Sequence, residues 1–262
     1  MTDAGRRTDT LPDGYSEQVW SRGRGFAWAD ADEWLRGVVS AGSTPHDWAS
    51  RQSGAEELVG RGTVFSVPAP ARGPDERARW AVRHYRRGGA LASVLGDRYL
   101  PTRPTRPRAE LATSVTARAR GIPTPAVVAG ATYEAGLFYR ADLVTELVPS
   151  SLSLADTLSR GDAAASRHDA LIRAGGLVRL MADRGVLHVD VNARNILFAS
   201  PPETGTFVID LDRARILDGP TASAGQAMLD RLLRSLRKLG LIEVENGGDD
   251  LDALRAGFEA AT

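Results

Sequence analysis

The sequence predicts an α+β protein in two lobes, an antiparallel-sheet N-lobe followed by a mainly helical C-lobe. Up to Val148 the chain is dominated by short apolar runs of β type separated by glycine and proline, and the break at Pro149-Ser150-Ser151 ends that pattern. Beyond it, apolar residues recur at spacings of three and four, as in Met228-Leu229-x-x-Leu232-Leu233-x-x-Leu236. The third observation is chemical: His188-x-Asp190-x-x-x-x-Asn195 is followed, twenty positions after Asp190, by Asp210 in Ile209-Asp210-Leu211-Asp212. These observations divide the chain into residues 1–45, an extension packed on the N-lobe, residues 46–148, the N-lobe itself, and residues 149–262, the C-lobe.

Composition bounds the function. The 262 residues are 42% hydrophobic, enough for a sizeable core, and 33 basic residues balance 33 acidic ones, so no global field favours nucleic acid or a membrane. No cysteine is present, which excludes disulfides and thiolate metal sites. Met1 to Thr10 contain no apolar signal region, and no run approaches the ~20 apolar residues of a membrane span, which predicts a cytoplasmic protein. Lys238 is the only lysine, so a phosphate-anchoring cation in the first half must be an arginine.

In chain order, Tyr15 to Trp20 and Phe26 to Trp28 read as a hairpin, and Asp30 or Asp32 caps a helix through Leu35 and Val38 that ends near Gly42. Glu57 to Phe65 reads strand, glycine turn, strand. The turn Gly60-Arg61-Gly62 lets the backbone approach phosphates closely, although Phe65 stands where a third glycine of the full pattern would fall. In the strand Trp80 to Tyr85, alternation puts Ala81, Arg83 and Tyr85 on one face. A small residue two before a cation leaves room for adenine while the cation reaches the phosphates, which assigns Ala81 and Arg83 to the nucleotide; a solvated edge charge is the plainer use of such an arginine. Pro101, Pro104 and Pro107 mark a loop, and a helix runs from Glu110 past Val115 to a stop at Gly121 and Pro123. Glu110 is positioned to pair with Arg83; a first-turn glutamate that complements the helix dipole is the alternative. Strands follow at Ala126 to Ala131, Leu137 to Tyr139 and Leu143 to Val148, the last containing Glu146 and leading into a hinge whose exposed backbone groups could pair with adenine.

A helix from about Ala170 to Asp183 delivers the chain through Gly185 to Val186-Leu187, and the apolar runs Ile196 to Phe198 and Phe207 to Ile209 set the acidic groups at strand ends. Transfer of phosphate from ATP to a hydroxyl rests on positioning and charge neutralisation. It needs a carboxylate to orient the acceptor and take its proton, a role that fits Asp190. It also needs an amide oxygen and a second carboxylate for Mg2+, a role that fits Asn195 and Asp210. Arg231, Arg234, Arg237 and Lys238 lie off the apolar stripe of the last helix read here, a face for solvent, an anionic substrate or a lipid surface.

On these residues the chain resembles the lipopolysaccharide kinase family, and within it the 3-deoxy-D-manno-octulosonic acid (Kdo) kinases. The matching stretches include Gly60-Arg61-Gly62, Val82 to Gly89, Asp97 to Leu100, Gly136 to Leu143, His188 to Leu197, Ile209 to Arg213 and Leu232 to Lys238, with Asn192 where protein kinases place lysine. The resemblance implies a protein-kinase-like bilobal fold and transfer of the γ-phosphate of ATP, with Mg2+, to a hydroxyl of Kdo-lipid A. It also implies work at the cytoplasmic face of an inner membrane, as a peripheral enzyme without nucleic acid as a partner. Three departures, Val189, Val191 and Leu211, keep apolar character at positions where the family uses other residues. Arg83 in place of a strand lysine and the incomplete glycine turn keep two alternatives open, a kinase-like enzyme for another protein or small molecule and a catalytically silent binding module. Intact Asp190, Asn195 and Asp210 argue against the latter. Arg86, Arg87 and Arg98 are read as a basic rim for an anionic acceptor.

Overall fold

The computed structural model describes residues 10–58, 64–86, 96–160, 164–200, 204–242 and 248–260, which fall into two compact units. The first comprises Met1–Val115 and Ala126–Leu147, the second Thr116–Pro125 and Val148–Thr262.

The first unit is built on an antiparallel sheet of β1 (Tyr15–Trp20), β2 (Gly23–Trp28), β3 (Glu56–Leu58), β4 (Val64–Pro68), β5 (Arg79–His84), β6 (Val127–Ala135) and β7 (Phe138–Glu146), in the order β1-β2-β6-β7-β5-β4-β3. The hairpin read at Tyr15 to Trp28 has a longer second strand and pairs with β6, Phe26 opposite Gly130. Residues 15–28 are therefore two strands of the sheet. Alternation explains why: Phe26 and Ala27 each feed a core, on opposite faces.

On one face, α1 (Asp32–Ser40) and α2 (Pro45–Ala49) cover Trp80, Val82, Val128 and Val144, with Trp34 set edge-on to Trp80 at a centroid distance of 4.9 Å. On the other, Leu111 of α3 (Arg106–Ala119) packs with Phe26, Tyr85, Tyr99 and Leu143. This helix begins earlier than the prolines suggest, because Pro107 falls in its first turn, where a missing N–H costs nothing. Gly130 makes the close packing possible: a Cβ there would lie 2.5 Å from the Phe26 ring and 2.8 Å from Pro107.

The second unit packs α5 (Ala164–Asp183) at its centre. Around it lie β8 (Ser151–Ser153), α4 (Leu154–Ser159), β9 (Val186–Leu187), β10 (Ile196–Ala199), β11 (Gly205–Val208), β12 (Arg215–Ile216), α6 (Ala222–Lys238) and α7 (Gly248–Ala260). After the break at Pro149 to Ser151, Leu152 lies in β8, which pairs with β10, and Ser153 then caps α4 by accepting from the Asp156 N–H at 3.1 Å. Leu171, Val178, Met181, Val191, Ile196, Leu211, Met228, Leu232, Leu236 and Leu254 form one core.

Sequence periodicity did not indicate α7. It meets α5 backbone to backbone: a Cβ on Gly175 would sit 2.1 Å from the Leu254 carbonyl oxygen, and one on Gly257 would sit 2.0 Å from that of Ile172. Glycine inside a helix costs about 1 kcal/mol against alanine. Here it lets the two helices approach to a distance that no side chain allows.

Candidate functional site

In the first unit, Arg83 on β5 and Glu110 on α3 are brought together because both lie on the Tyr85–Leu111 face of the sheet. Arg83 Nη2 donates to Glu110 Oε2 in a short ion pair, and the Tyr85 hydroxyl donates to the same oxygen at 2.6 Å. The guanidinium also lies over the Tyr85 ring, 4.7 Å from its centroid. Glu110 is only 4% exposed, so the pair works in a poorly screened setting. Ala81 pairs with Ser66 and Thr145 two residues before Arg83 on that face.

Glu146 ends β7 fully buried, and its carboxylate accepts from the N–H groups of Asp75 at 2.9 Å and Arg77 at 3.1 Å. Burial, the main cause, holds its carboxyl above the usual value against those bonds. Glu146, read as part of the hinge that could pair with adenine, thus uses its side chain to fasten the 73–77 loop. Gly60, Arg61 and Gly62, also assigned to the nucleotide, lie outside the described residues, as does Arg87 of the basic rim; Arg86 and Arg98 are exposed.

In the second unit, the chain enters the acidic loop through Gly185, whose φ of +64° closes α5. Arg120 fixes this entry. Its Nη1 donates to the carbonyls of Arg184 at 2.8 Å, Gly185 at 3.1 Å and Leu217 at 2.8 Å. His188 is fully buried; its Nδ1 accepts the Asp190 N–H at 3.3 Å and its Nε2 lies 3.2 Å from the Ile209 carbonyl. Those partners require the neutral tautomer with the proton on Nε2. Burial, the leading cause, pushes the imidazole below its ordinary value and keeps it neutral. His188 therefore ties the start of the loop to the strand before Asp210, away from any proton-transfer role.

Asn192 shapes the loop from within, donating to the Asp190 carbonyl at 2.9 Å and accepting the Arg194 N–H at 3.0 Å. Beneath, α6 holds it: Met228 Sδ accepts the His188 N–H at 3.3 Å, and Ser235 Oγ accepts that of Ala193 at 3.2 Å.

Asn195 and Asp210 meet at the same end of a two-strand ladder. Ile196 of β10 pairs with Val208 of β11, and the Ile209 N–H donates to the Asn195 carbonyl at 3.0 Å. Asp210 then adopts the left-handed conformation, φ 67° and ψ 56°, before a 3-10 turn at Leu211–Arg213. For a residue with a Cβ that conformation costs roughly 1–2 kcal/mol, and buried Leu211 and the ladder hold it in place. An amide oxygen and a carboxylate at one strand end are the hard donors that Mg2+ takes, usually one or two from protein with the rest from phosphate and water. The residues fit that ion, and among the described residues no group of three or more His, Cys, Asp or Glu forms a self-sufficient metal cage.

Asp190 itself is partly exposed. Arg213 Nη1 donates to its Oδ2 at 2.7 Å and Arg231 Nη2 to its Oδ1 at 2.9 Å. Sequence reading missed both arginines as site residues. Arg213 is adjacent to the acidic run, and Arg231 belongs to the basic face of α6, so the signal was present without its partner.

This acidic loop and strand-end pair, carried by a chain with an antiparallel sheet and the Arg83–Glu110 pair, define a kinase-like phosphotransferase class. A solved structure, WaaP in complex with acyl carrier protein, shares the fold with a TM-score of 0.50 and 19% identity, covering 87% of each chain. The Lipopolysaccharide kinase (Kdo/WaaP) family matches over residues 46–255, and the chain belongs to that family. Similar curated proteins named 3-deoxy-D-manno-octulosonic acid kinase include one from Vibrio vulnificus, 30% identical and covering 87% of this chain and 92% of that protein. Another, from Stenotrophomonas maltophilia, is 32% identical and covers 83% of each chain. A third, from Photobacterium profundum, is 35% identical over 73% of this chain and 76% of the relative.

Proposed function

We propose that this protein transfers the γ-phosphate of ATP to a hydroxyl of Kdo in Kdo-lipid A during lipopolysaccharide core biosynthesis. The observation that carries the reading is Asp190, a partly exposed carboxylate on a loop braced by His188, Asn192 and α6, in a chain of the lipopolysaccharide kinase family. In this reading the two units are the two lobes of a kinase. Arg83, oriented by Glu110 and Tyr85, serves the phosphates, Ala81 leaves room for the base, and the turn at Gly60 to Gly62 serves the phosphates through its backbone.

Asp190 orients the acceptor hydroxyl and takes its proton as the oxygen bonds to the γ-phosphorus and the bond to the bridging oxygen of ADP breaks. Asn195 and Asp210 hold magnesium, which when bound neutralises charge on the phosphates. A glycolipid acceptor brings the protein to the cytoplasmic face of an inner membrane as a peripheral enzyme. Leu100 and Leu137, exposed on segments joined by the Tyr99–Tyr139 bridge, support this.

The test is a transfer assay with labelled ATP, magnesium and Kdo-lipid A, followed by mass spectrometry of the lipid. Wild type should add one phosphate to Kdo, and Asp190→Asn should lower kcat by roughly 10²–10⁴-fold, the usual worth of a positioned base. Unchanged turnover in that variant removes Asp190 from the mechanism.

A further inference from the structure

We propose that Arg213 and Arg231 seat an anionic group of the acceptor, the carboxylate of an acidic sugar, beside the hydroxyl presented to Asp190; this rests on the reading of Asp190 as the acceptor's base. Three features of the trio carry the inference. The first is charge. Two guanidiniums meet one carboxylate, leaving one positive charge unmatched within the trio, and exposed Arg234 one turn along α6 extends the positive field.

The second is stoichiometry of donors. A guanidinium carries five N–H groups. Among the described residues Arg213 and Arg231 each spend a single Nη on Asp190, one per carboxylate oxygen, and make no second hydrogen bond. If fixing the Asp190 rotamer were their whole task, one arginine in a bidentate fork would do it. Instead two arginines from different elements, the 3-10 turn after Asp210 and helix α6, each leave most of their donors uncommitted.

The third is accessibility. The Arg213 and Arg231 side chains are 59% and 47% exposed against 31% for Asp190, so their uncommitted donors are open to solvent and to an incoming anion. Each carboxylate oxygen offers two lone-pair sites, so Asp190 keeps its arginine bonds and still accepts from a hydroxyl. An acceptor carboxylate bridging the two guanidiniums places its own sugar ring over that base, and a neutral sugar gains nothing from this charge.

The experiment compares Kdo-lipid A with the same glycolipid carrying a methyl-esterified Kdo carboxylate, using wild type, Arg213→Gln, Arg231→Gln and the two Lys replacements. Each Gln variant should raise KM for the acidic acceptor about tenfold, the worth of one charge-assisted bond, while KM for ATP and for the ester stays unchanged. Lysine should recover part of the loss, because it restores charge without the planar fork. Equal wild-type KM for acid and ester overturns the seat while leaving the kinase reading intact. So does a fall in kcat alone with both acceptors, which would reduce the arginines to positioning residues for Asp190. If wild type turns over neither glycolipid, the proposed function fails and the seat is judged by calorimetric titration of free Kdo. Weaker binding to the Arg213→Gln/Arg231→Gln double variant sustains it, and equal or absent binding overturns it.

Discussion

Gly175 and Gly176 are neighbours in the same helix, yet alanine at the two positions should act in opposite directions. Replacing an interior helix glycine by alanine gains up to about 1 kcal/mol from backbone entropy and propensity, and this gain is common to both sites. At Gly176 the added methyl lies 3.6 Å from the Gly257 carbonyl oxygen, an ordinary contact, so Gly176→Ala should stabilise by roughly 0.5–1 kcal/mol. At Gly175 the methyl falls 2.1 Å from the Leu254 carbonyl oxygen and 2.8 Å from the Phe258 nitrogen, both backbone atoms that cannot rotate away. Helices α5 and α7 would have to separate by about an ångström. Overpacking of this kind costs about 3 kcal/mol at the upper end of its usual range, and subtracting the propensity gain leaves a loss of about 2 kcal/mol. Thermal unfolding followed by far-UV circular dichroism should show Gly175→Ala melting about 4–8 °C below wild type and Gly176→Ala at or above it. Equal shifts of the same sign in both variants would refute the argument, because only the α5–α7 approach separates the two sites.

Two further outcomes follow from the first unit. Glu110→Gln keeps the shape and an acceptor for Tyr85 but removes the charge facing Arg83, so it should lower stability to urea by about 2 kcal/mol; Tyr85→Phe should cost about 1, and the double variant less than the sum. Strict additivity would mean that the three groups do not act as a cluster. The second concerns His84, whose Nδ1 lies 2.6 Å from Asp142 and Nε2 3.0 Å from Asp97. Burial alone would lower its pKa, but the bonds and charges of the two carboxylates together outweigh burial and raise it. A raised pKa means the folded state binds the proton more tightly. The stabilisation is therefore complete below the unfolded value of about 6.5 and is lost as pH rises through the folded value. Urea midpoints taken from pH 6 upward should fall in wild type, and His84→Gln should flatten that slope; parallel slopes would show that His84 is not the group responsible.

How much was legible in the sequence depends on the range over which each signal acts. His188, Asp190, Asn195 and Asp210 were readable because short apolar strands beside them fix their places locally, and the ladder joining Ile196 to Val208 follows from those runs. The Arg83–Glu110 contact was readable because the two-residue alternation of a strand and the three-to-four-residue repeat of a helix each declare a face, although Glu110 lies a full turn inside a helix that starts at Arg106 and not in its first turn. Arg120, Arg213 and Arg231 were not, since a surface arginine has the same local pattern whether it meets solvent, three carbonyls or the carboxylate of Asp190. The seven-strand order was equally hidden: nothing local to Gly23–Trp28 says that β2 pairs with β6, more than a hundred residues on.

The sequence by itself determined the mixed α and β character with an antiparallel sheet and the short apolar strands that flank Asp190, Asn195 and Asp210, because periodicity, turn residues and motif spacing are properties of neighbours along the chain. Only the tertiary structure decided that Glu146 fastens a loop, that His188 is a neutral brace and that Asp190 carries two arginines. It also decided that Gly175 and Gly257 allow two helix backbones to touch. These are facts of burial and approach between distant segments, where desolvation and steric exclusion set the energy, and neither quantity is defined until the chain has folded.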